Sequence, residues 1–279
     1  MSTTGQEINN IAVFCDFENL ALGAQDAKYA SFDIKRILER LLLKGNVVVR
    51  KAYSDWERYK SYKRGMHEAS FELIEIPHVR QSGKNSADIR MVVDALDLCY
   101  TKAHLNTFAI ISGDSDFSPL VAKLRENDKV VIGVGVKNST SDLFISICDE
   151  FIFYDDLVRE NERKSRGRKK PAAEVKKKPS GKKGGKDSAD DESARNEEAI
   201  DLVMGTVEEL VEERGAEDKL WGSMVKQTLK RRQPGFNERY YGFRSFNDLL
   251  EEAQKRGLLK LERDEKSGGC TIQAVASGE

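Results

Sequence analysis

Short, continuous apolar runs alternate with amphipathic stretches through the first 158 residues, and this alternation restricts the fold more than any other feature of the chain. IAVFCD (11–16), NVVVRKAY (46–53), FELIEIP (71–77), TFAIISGD (107–114), VVIGVGV (130–136) and FIFY (151–154) read as strands. Most lack the apolar–polar alternation of a strand with one wet face. Strands of this kind must be covered on both sides, which implies a mostly parallel sheet with helices packed on each face. The intervening segments supply the helices. FDIKRILERLLLKG (32–45) sets Ile34, Ile37, Leu38, Leu41 and Leu42 at helical spacing, and Gly45 ends it. A polar helix is expected over 57–69, and others over 117–127 and near 141–148. Ser86 is placed to cap a long helix through ADIRMVVDALDLCYTKA, with Ile89, Val92, Val93, Leu96 and Tyr100 forming its apolar face.

Parallel α/β sheets build their sites beyond the carboxyl ends of the strands. Acids collect there. Asp16 closes the first strand, Asp114 and Asp116 follow the fourth, and Asp88 opens the long helix. If strands one and four are neighbours, Asp16 and Asp114 approach each other with Asp88 over the same edge. Asp94 lies one to two turns further along that helix, and either faces the site or packs beside it. Clustered carboxylates repel one another unless protons or cations share the site. A ligand set made only of oxygens suits Mg²⁺ or Mn²⁺, and such an ion supports hydrolysis of a phosphodiester. The plainer reading is that a lone Asp after a strand caps a turn or helix, with Asp116 or Ser115 capping the next helix and Asp88 being an ordinary first-turn acid.

The net charge of −1 conceals a division into three parts. Residues 1–158 carry 19 Lys+Arg against 23 Asp+Glu, residues 159–186 carry 13 against 3, and residues 187–279 carry 14 against 21. The middle stretch is nearly devoid of large apolar residues, so it cannot bury enough surface to offset the entropy of ordering. Residues 159–195 are therefore expected to be a disordered basic linker, either an arm that contacts phosphates or a soluble spacer. Four scattered cysteines without a CxxC pair and three distant histidines argue against a disulfide framework, a cysteine zinc site or histidine chemistry. No apolar stretch is long enough to span a membrane and no signal-peptide pattern opens the chain, so a cytoplasmic setting is expected.

Residues 196–275 read as a second domain: helices at 197–215, 219–236 and from Ser245, then two short strands around an SGG turn, the order of a small winged helix-turn-helix. Lys226, Lys230, Arg231, Arg232, Arg239, Tyr240, Tyr241 and Arg244 concentrate cations and aromatic rings in an otherwise acidic module. Those groups suit phosphate contact and base stacking. In the plainer reading Tyr241, Phe243 and Phe246 are core and the cations are solvated surface; a protein partner is a further alternative.

FCDFENL, GKNSADIRMVVDAL, ISGDSDFSPLV and the VIGVGV strand, in that order over residues 10–157, resemble the NYN domain, a PIN-like nuclease family, in its bacterial LabA-like branch. The segment LWGSMVKQTLKRRQPGFNERYYGFRSFNDLLEEA resembles the LOTUS (OST-HTH) domain. The resemblance implies a PIN-like three-layer α/β/α domain over residues 1–158 and Mg²⁺- or Mn²⁺-dependent ribonuclease activity. It assigns Asp16, Asp88, Asp114 and Asp116 as metal-binding acids and Asn19 as a polar residue beside the first. Ser112 and Ser139 would supply hydroxyls near the site. Arg80, Lys84, Asn85 and Lys137 fall on loops expected at the same edge, where they would offset the acids and hold the RNA backbone, or else be solvated surface. Lys230, Arg231, Arg232, Arg239 and Tyr240 would position RNA from the second domain. Pairing of two chains into a homodimer is compatible with such domains. Two other functions compete on the residues: an RNA-binding adaptor that keeps the fold without turnover, and phosphatase chemistry of the haloacid dehalogenase type. The latter expects a DxD where this chain has Asp16-Phe17-Glu18.

Overall fold

The computed structural model describes residues 9–27, 29, 32–76, 86–160, 187–214, 219–263 and 270–274. Arg80, Lys84, Asn85 and most of the basic stretch, 161–186, lie outside the described residues. The chain divides into two compact units, Met1–Ser165 and Arg166–Glu279.

In the first unit, six strands form one sheet: β1 (Asn10–Asp16), β2 (Asn46–Ser54), β3 (Glu72–Glu75), β4 (Thr107–Ile111), β5 (Val130–Gly135) and β6 (Glu150–Phe153). Their order is β3-β2-β1-β4-β5-β6. Every pairing is parallel. Helices α1 (Phe17–Asp26), α2 (Ile34–Leu42), α3 (Lys60–Glu68), α4 (Ser86–Thr101), α5 (Ser118–Glu126) and α6 (Asp142–Ile147) connect them, and α7 covers 154–160. Alternate residues of β1 enter different cores. Ile11, Val13 and Cys15 pack with Leu20, Ile37 and Leu41 of α1 and α2, while Ala12 and Phe14 pack with Met91, Ala95 and Val121 of α4 and α5. This is the three-layer α/β/α arrangement expected from the uninterrupted apolar strands. Chain order reverses between β1 and β4, so a crevice opens where these two strands end.

The apolar face of α4 differs from the expected one. Met91, Ala95 and Cys99 are buried, with Val92 and Leu96 packed beside them, whereas Ile89, Val93 and Tyr100 are 63%, 55% and 61% exposed. The small Ala95 lets the helix settle closely on β1 and β2. A pattern read by hydrophobicity favours the larger side chains, which point away. Leu42 of α2, expected inward, is also exposed.

The second unit contains α8 (Asp187–Arg214), β7 (Leu220–Trp221), α9 (Gly222–Arg232), α10 (Phe246–Lys255), β8 (Leu259–Arg263) and β9 (Cys270–Ala274). The strands form an antiparallel sheet in the order β7-β9-β8. Ala199, Ile200, Val203, Val207 and Leu210 of α8 meet Val225, Leu229, Phe246, Leu249 and Leu250 in one core. Three helices and a hairpin wing give the winged helix-turn-helix expected.

Two boundaries are corrected. Residues 187–195, read as linker, are helical, because the apolar stripe that marks α8 starts only at Ala199. The second helix runs over 222–232 rather than 219–236, since Leu220 and Trp221 pair with β9 and so close the small sheet.

Candidate active site

Parallel pairing of β1 and β4, with Cys15 opposite Ile111, brings Asp16 beside the Ser112-Gly113-Asp114 turn. Asp16 is 8% exposed and caps α1. Its Oδ1 accepts from the Asn19 backbone N–H at 3.3 Å, and its Oδ2 accepts from the Ser112 hydroxyl at 3.0 Å. The Ser112 oxygen in turn accepts from the Asp114 backbone N–H at 3.2 Å. Asn19 reaches across the same gap, its Oδ1 accepting from the Gly113 N–H at 2.8 Å. Asp114 accepts from the Asp116 N–H at 3.0 Å and caps the short 3₁₀ turn Ser115–Phe117. Asp114 therefore does what the plainer reading assigned to Asp116 or Ser115, and still leaves its second carboxylate oxygen outside that bond.

Closeness of the backbone is built into the crevice. A Cβ at Gly113 would stand 2.3 Å from the Ser139 carbonyl oxygen, and one at Gly23 would stand 2.3 Å from the Ser139 hydroxyl. Ser139 is thus wedged between α1 and the Gly113 turn, and its hydroxyl donates to the Val136 carbonyl at 3.4 Å.

The electrostatics identify Asp88 as the link among the acids. Burial, followed by the charges of Asp114, Asp116 and Glu18, pushes the Asp88 carboxyl up to about 6. Burial, followed by the charge of Asp88, pushes Asp16 up to about 7 against the opposing hydrogen bonds from Asn19 and Ser112. Both shifts mean that negative charge here lacks a compensating partner. Glu18, which sequence reasoning did not single out, acts on both Asp16 and Asp88. Its carboxylate accepts from Arg58 Nη1 at 3.2 Å, and the Arg58 guanidinium lies 5.7 Å from the centre of the Tyr59 ring. The Tyr59 hydroxyl is buried without a hydrogen-bond partner; burial raises its pKa, and Glu18 and Asp16 raise it further. Glu18 could have been found from its place in FCDFENL; Arg58 and Tyr59 sit in a polar segment without any pattern to mark them.

Asp94 belongs to a separate cluster. It accepts from Tyr53 at 2.8 Å, from Lys51 at 3.3 Å and from Arg90 at 3.1 Å. Cations and a phenol satisfy it there, so it packs beside the acids rather than among them. Lys137 donates its backbone N–H to Asp155 at 2.8 Å, and its side chain is exposed.

In the second unit, Arg232 pairs with Glu209 on α8, and Lys226 pairs with Glu238 at 2.8 Å while lying 5.6 Å from the centre of the Phe246 ring. Tyr241 stacks on the buried Phe236, which places it with the core. Tyr240 meets Tyr241 edge-on and carries the Arg195 guanidinium over its ring. Lys230, Arg231 and Arg239 lie on or beyond the end of α9, with Arg231 and Arg239 exposed.

Fold and site together define a doubly wound α/β domain with a carboxylate-rich crevice at its β1/β4 switch point, followed by a winged helix-turn-helix. The chain belongs to the NYN domain family, whose model matches residues 10–155, and an OST-HTH/LOTUS domain matches residues 197–269. NYN domains have a PIN-like nuclease fold, and OST-HTH/LOTUS domains are associated with RNA binding. An uncharacterised protein of Methanocaldococcus jannaschii is similar, 28% identical over 144 residues that cover 52% of this chain and 55% of that one. The chain thus spans about half the length of that curated relative. A protein of unknown function from Vibrio parahaemolyticus aligns structurally with a TM-score of 0.49 and 25% identity, over 56% of this chain and 98% of the other.

Proposed function

We propose that the first unit is a divalent-metal-dependent ribonuclease and that the second positions the RNA. The observation that carries this reading is the pair of buried or half-buried acids, Asp16 and Asp88, whose carboxyls are pushed up to about 7 and about 6 at the end of the central strands. A site that holds charge this poorly alone is suited to a cation.

The donor set fits a hard ion, since Asp16, Asp88, Asp114 and Asp116 offer only oxygen. Among the described residues no three carboxylate, imidazole or thiolate groups stand close enough to enclose an ion by themselves. Mg²⁺ is commonly held by one or two carboxylates, with water and substrate phosphate completing its shell. Asp16, Asp88, Asp114 and Asp116 are the residues that would hold it. A bound ion would lower the pKa of a water and offset charge at the phosphoryl group. The chain's own groups do the rest. Ser112 and Asn19 hold Asp16 and the Gly113 turn at fixed separation, so the acids need no rearrangement when the phosphodiester arrives. Arg231 and Arg239, both exposed, and the half-buried Lys230 of the second unit would contact the RNA backbone, with Tyr240 beside them for a base to stack on.

The test is cleavage of labelled single-stranded and hairpin RNA in Mn²⁺, Mg²⁺ or EDTA by the wild type and an Asp16→Asn, Asp114→Asn double variant. Metal-dependent cutting that is lost in a folded double variant supports the proposal. Binding without cutting under any metal would replace it with the adaptor reading.

A further inference from the structure

We infer that Arg58 is a phosphate-contacting residue at the rim of the acidic crevice, held ready by Glu18 and Tyr59, and that the substrate is a strand extending past the reacting phosphate. This rests on the nuclease reading of the same site and names a group that neither the sequence pattern nor the family match assigns.

Three observations converge on it. Arg58 Nη1 donates to Glu18 Oε1 at 3.2 Å, and Glu18 is only two residues from Asp16 and acts electrostatically on both Asp16 and Asp88. The guanidinium also lies 5.7 Å from the Tyr59 ring, and Tyr59 itself lies close enough to Asp16 and Glu18 for both to add to the effect of burial on its hydroxyl. The side chains of Arg58 and Glu18 are 58% and 38% exposed, so the pair faces solvent rather than closing a core. An ion pair this exposed contributes little to stability. A planar guanidinium fixed on one side by a carboxylate and on the other by a ring loses little freedom when it engages a phosphate.

A crevice lined by Asp16, Glu18, Asp88, Asp114 and Asp116 repels a polyanion. Cations bound among the acids would answer the reacting phosphate, but the next phosphate along the strand needs a positive group outside the cluster. The turn between β2 and α3 supplies it. Arg58 meets Glu18 through Nη1, and its other N–H groups can donate to a phosphate oxygen while that bond is kept, without entering the acid cluster. Arg64 is a control. It is a highly exposed cation on α3, paired with Glu68 rather than with the crevice.

The experiment measures binding of a fluorescein-labelled single-stranded RNA to the full chain by anisotropy, across a salt series, for wild type, Arg58→Ala, Arg58→Lys and Arg64→Ala. It is run in Ca²⁺, with the oligonucleotide checked intact afterwards, and wild-type cleavage in Mn²⁺ is measured in parallel. Removing one cation that neutralises a single-strand phosphate should reduce the salt slope by about 0.7. Arg58→Ala is expected to show that reduction and Arg58→Lys to keep the slope at weaker affinity, while Arg64→Ala stays at the wild-type slope. Equal slopes for Arg58→Ala and wild type, or equal reductions in Arg58→Ala and Arg64→Ala, would overturn the inference. A slope reduced only in Arg58→Ala, in a protein that never cuts, would sustain this phosphate site and defeat the nuclease reading.

Discussion

Asp16 concentrates the chemistry of the first unit. It is a nearly buried carboxylate that receives a hydroxyl and a backbone N–H, yet burial and Asp88 still push it up to about 7. The consequence for stability has a definite sign. An unfolded Asp releases its proton near pH 4, whereas the folded Asp16 keeps its proton until about 7. Between these values the native state binds more protons, so stability falls as pH rises through the window and levels off above it. In EDTA the melting temperature of the wild type should drop by about 5 °C or more between pH 5 and pH 7.5, a loss of a few kcal/mol spread over a domain of this size. Asp16→Asn should show a clearly smaller drop, the remainder coming from Asp88. A flat wild-type profile would contradict the picture of uncompensated charge. At this scale the sequence was partly legible. Acids that end strands stand out in the chain, and Asp16, Asp88, Asp114 and Asp116 do interact electrostatically. Asp94 has the same spacing appeal but is held by Tyr53, Lys51 and Arg90, partners that only the packing of β2 against α4 brings to it. Arg58 was invisible because a surface cation acquires meaning only from what lies across the turn.

The elements were legible where every residue of a run agreed and illegible where size and position disagreed. The central strands β1, β4 and β5 carry enough unbroken apolar character to be read directly, and their parallel order follows from needing cover on both faces, while β2 and β3 are partly polar and more exposed. Helix α4 misled because its packing face is made by Met91, Ala95 and Cys99, two of them small, while Ile89 and Val93 face outward. Close approach to the sheet favours small residues, and a pattern weighted by hydrophobicity does not register that. The reassigned face has a simple consequence. Val93→Gln should change unfolding free energy by no more than about 0.5 kcal/mol, whereas Met91→Ala, which empties a fully buried site, should cost about 2–5 kcal/mol. Denaturant melts of the two variants decide it, and a costlier Val93 substitution would restore the original face. Helix α8 posed the opposite problem, since its first turns contain no apolar stripe to announce them.

At the scale of the whole molecule, an acidic α/β unit and an acidic winged helix are joined through a stretch holding 13 Lys+Arg against 3 Asp+Glu. Neither unit is electrostatically inviting to RNA overall, which gives that stretch its expected role as a phosphate-contacting arm. Replacing Lys176, Lys177, Lys178, Lys182, Lys183 and Lys186 by Gln should weaken RNA binding and lower its salt slope, by up to about 0.7 for each phosphate these lysines neutralise. Unchanged binding would make the segment a spacer. The nuclease reading depends on one coincidence, that the ion the acids gather is the ion that cutting requires. The most direct measurement is Mn²⁺ binding to the full chain by titration calorimetry, set beside the Mn²⁺ dependence of RNA cleavage, for wild type and Asp114→Asn. The expected result is that the same Mn²⁺ concentration half-saturates binding and half-activates cleavage, and that Asp114→Asn weakens both together. Cleavage that persists in EDTA, or Mn²⁺ binding left intact by Asp114→Asn while cutting is lost, would contradict it.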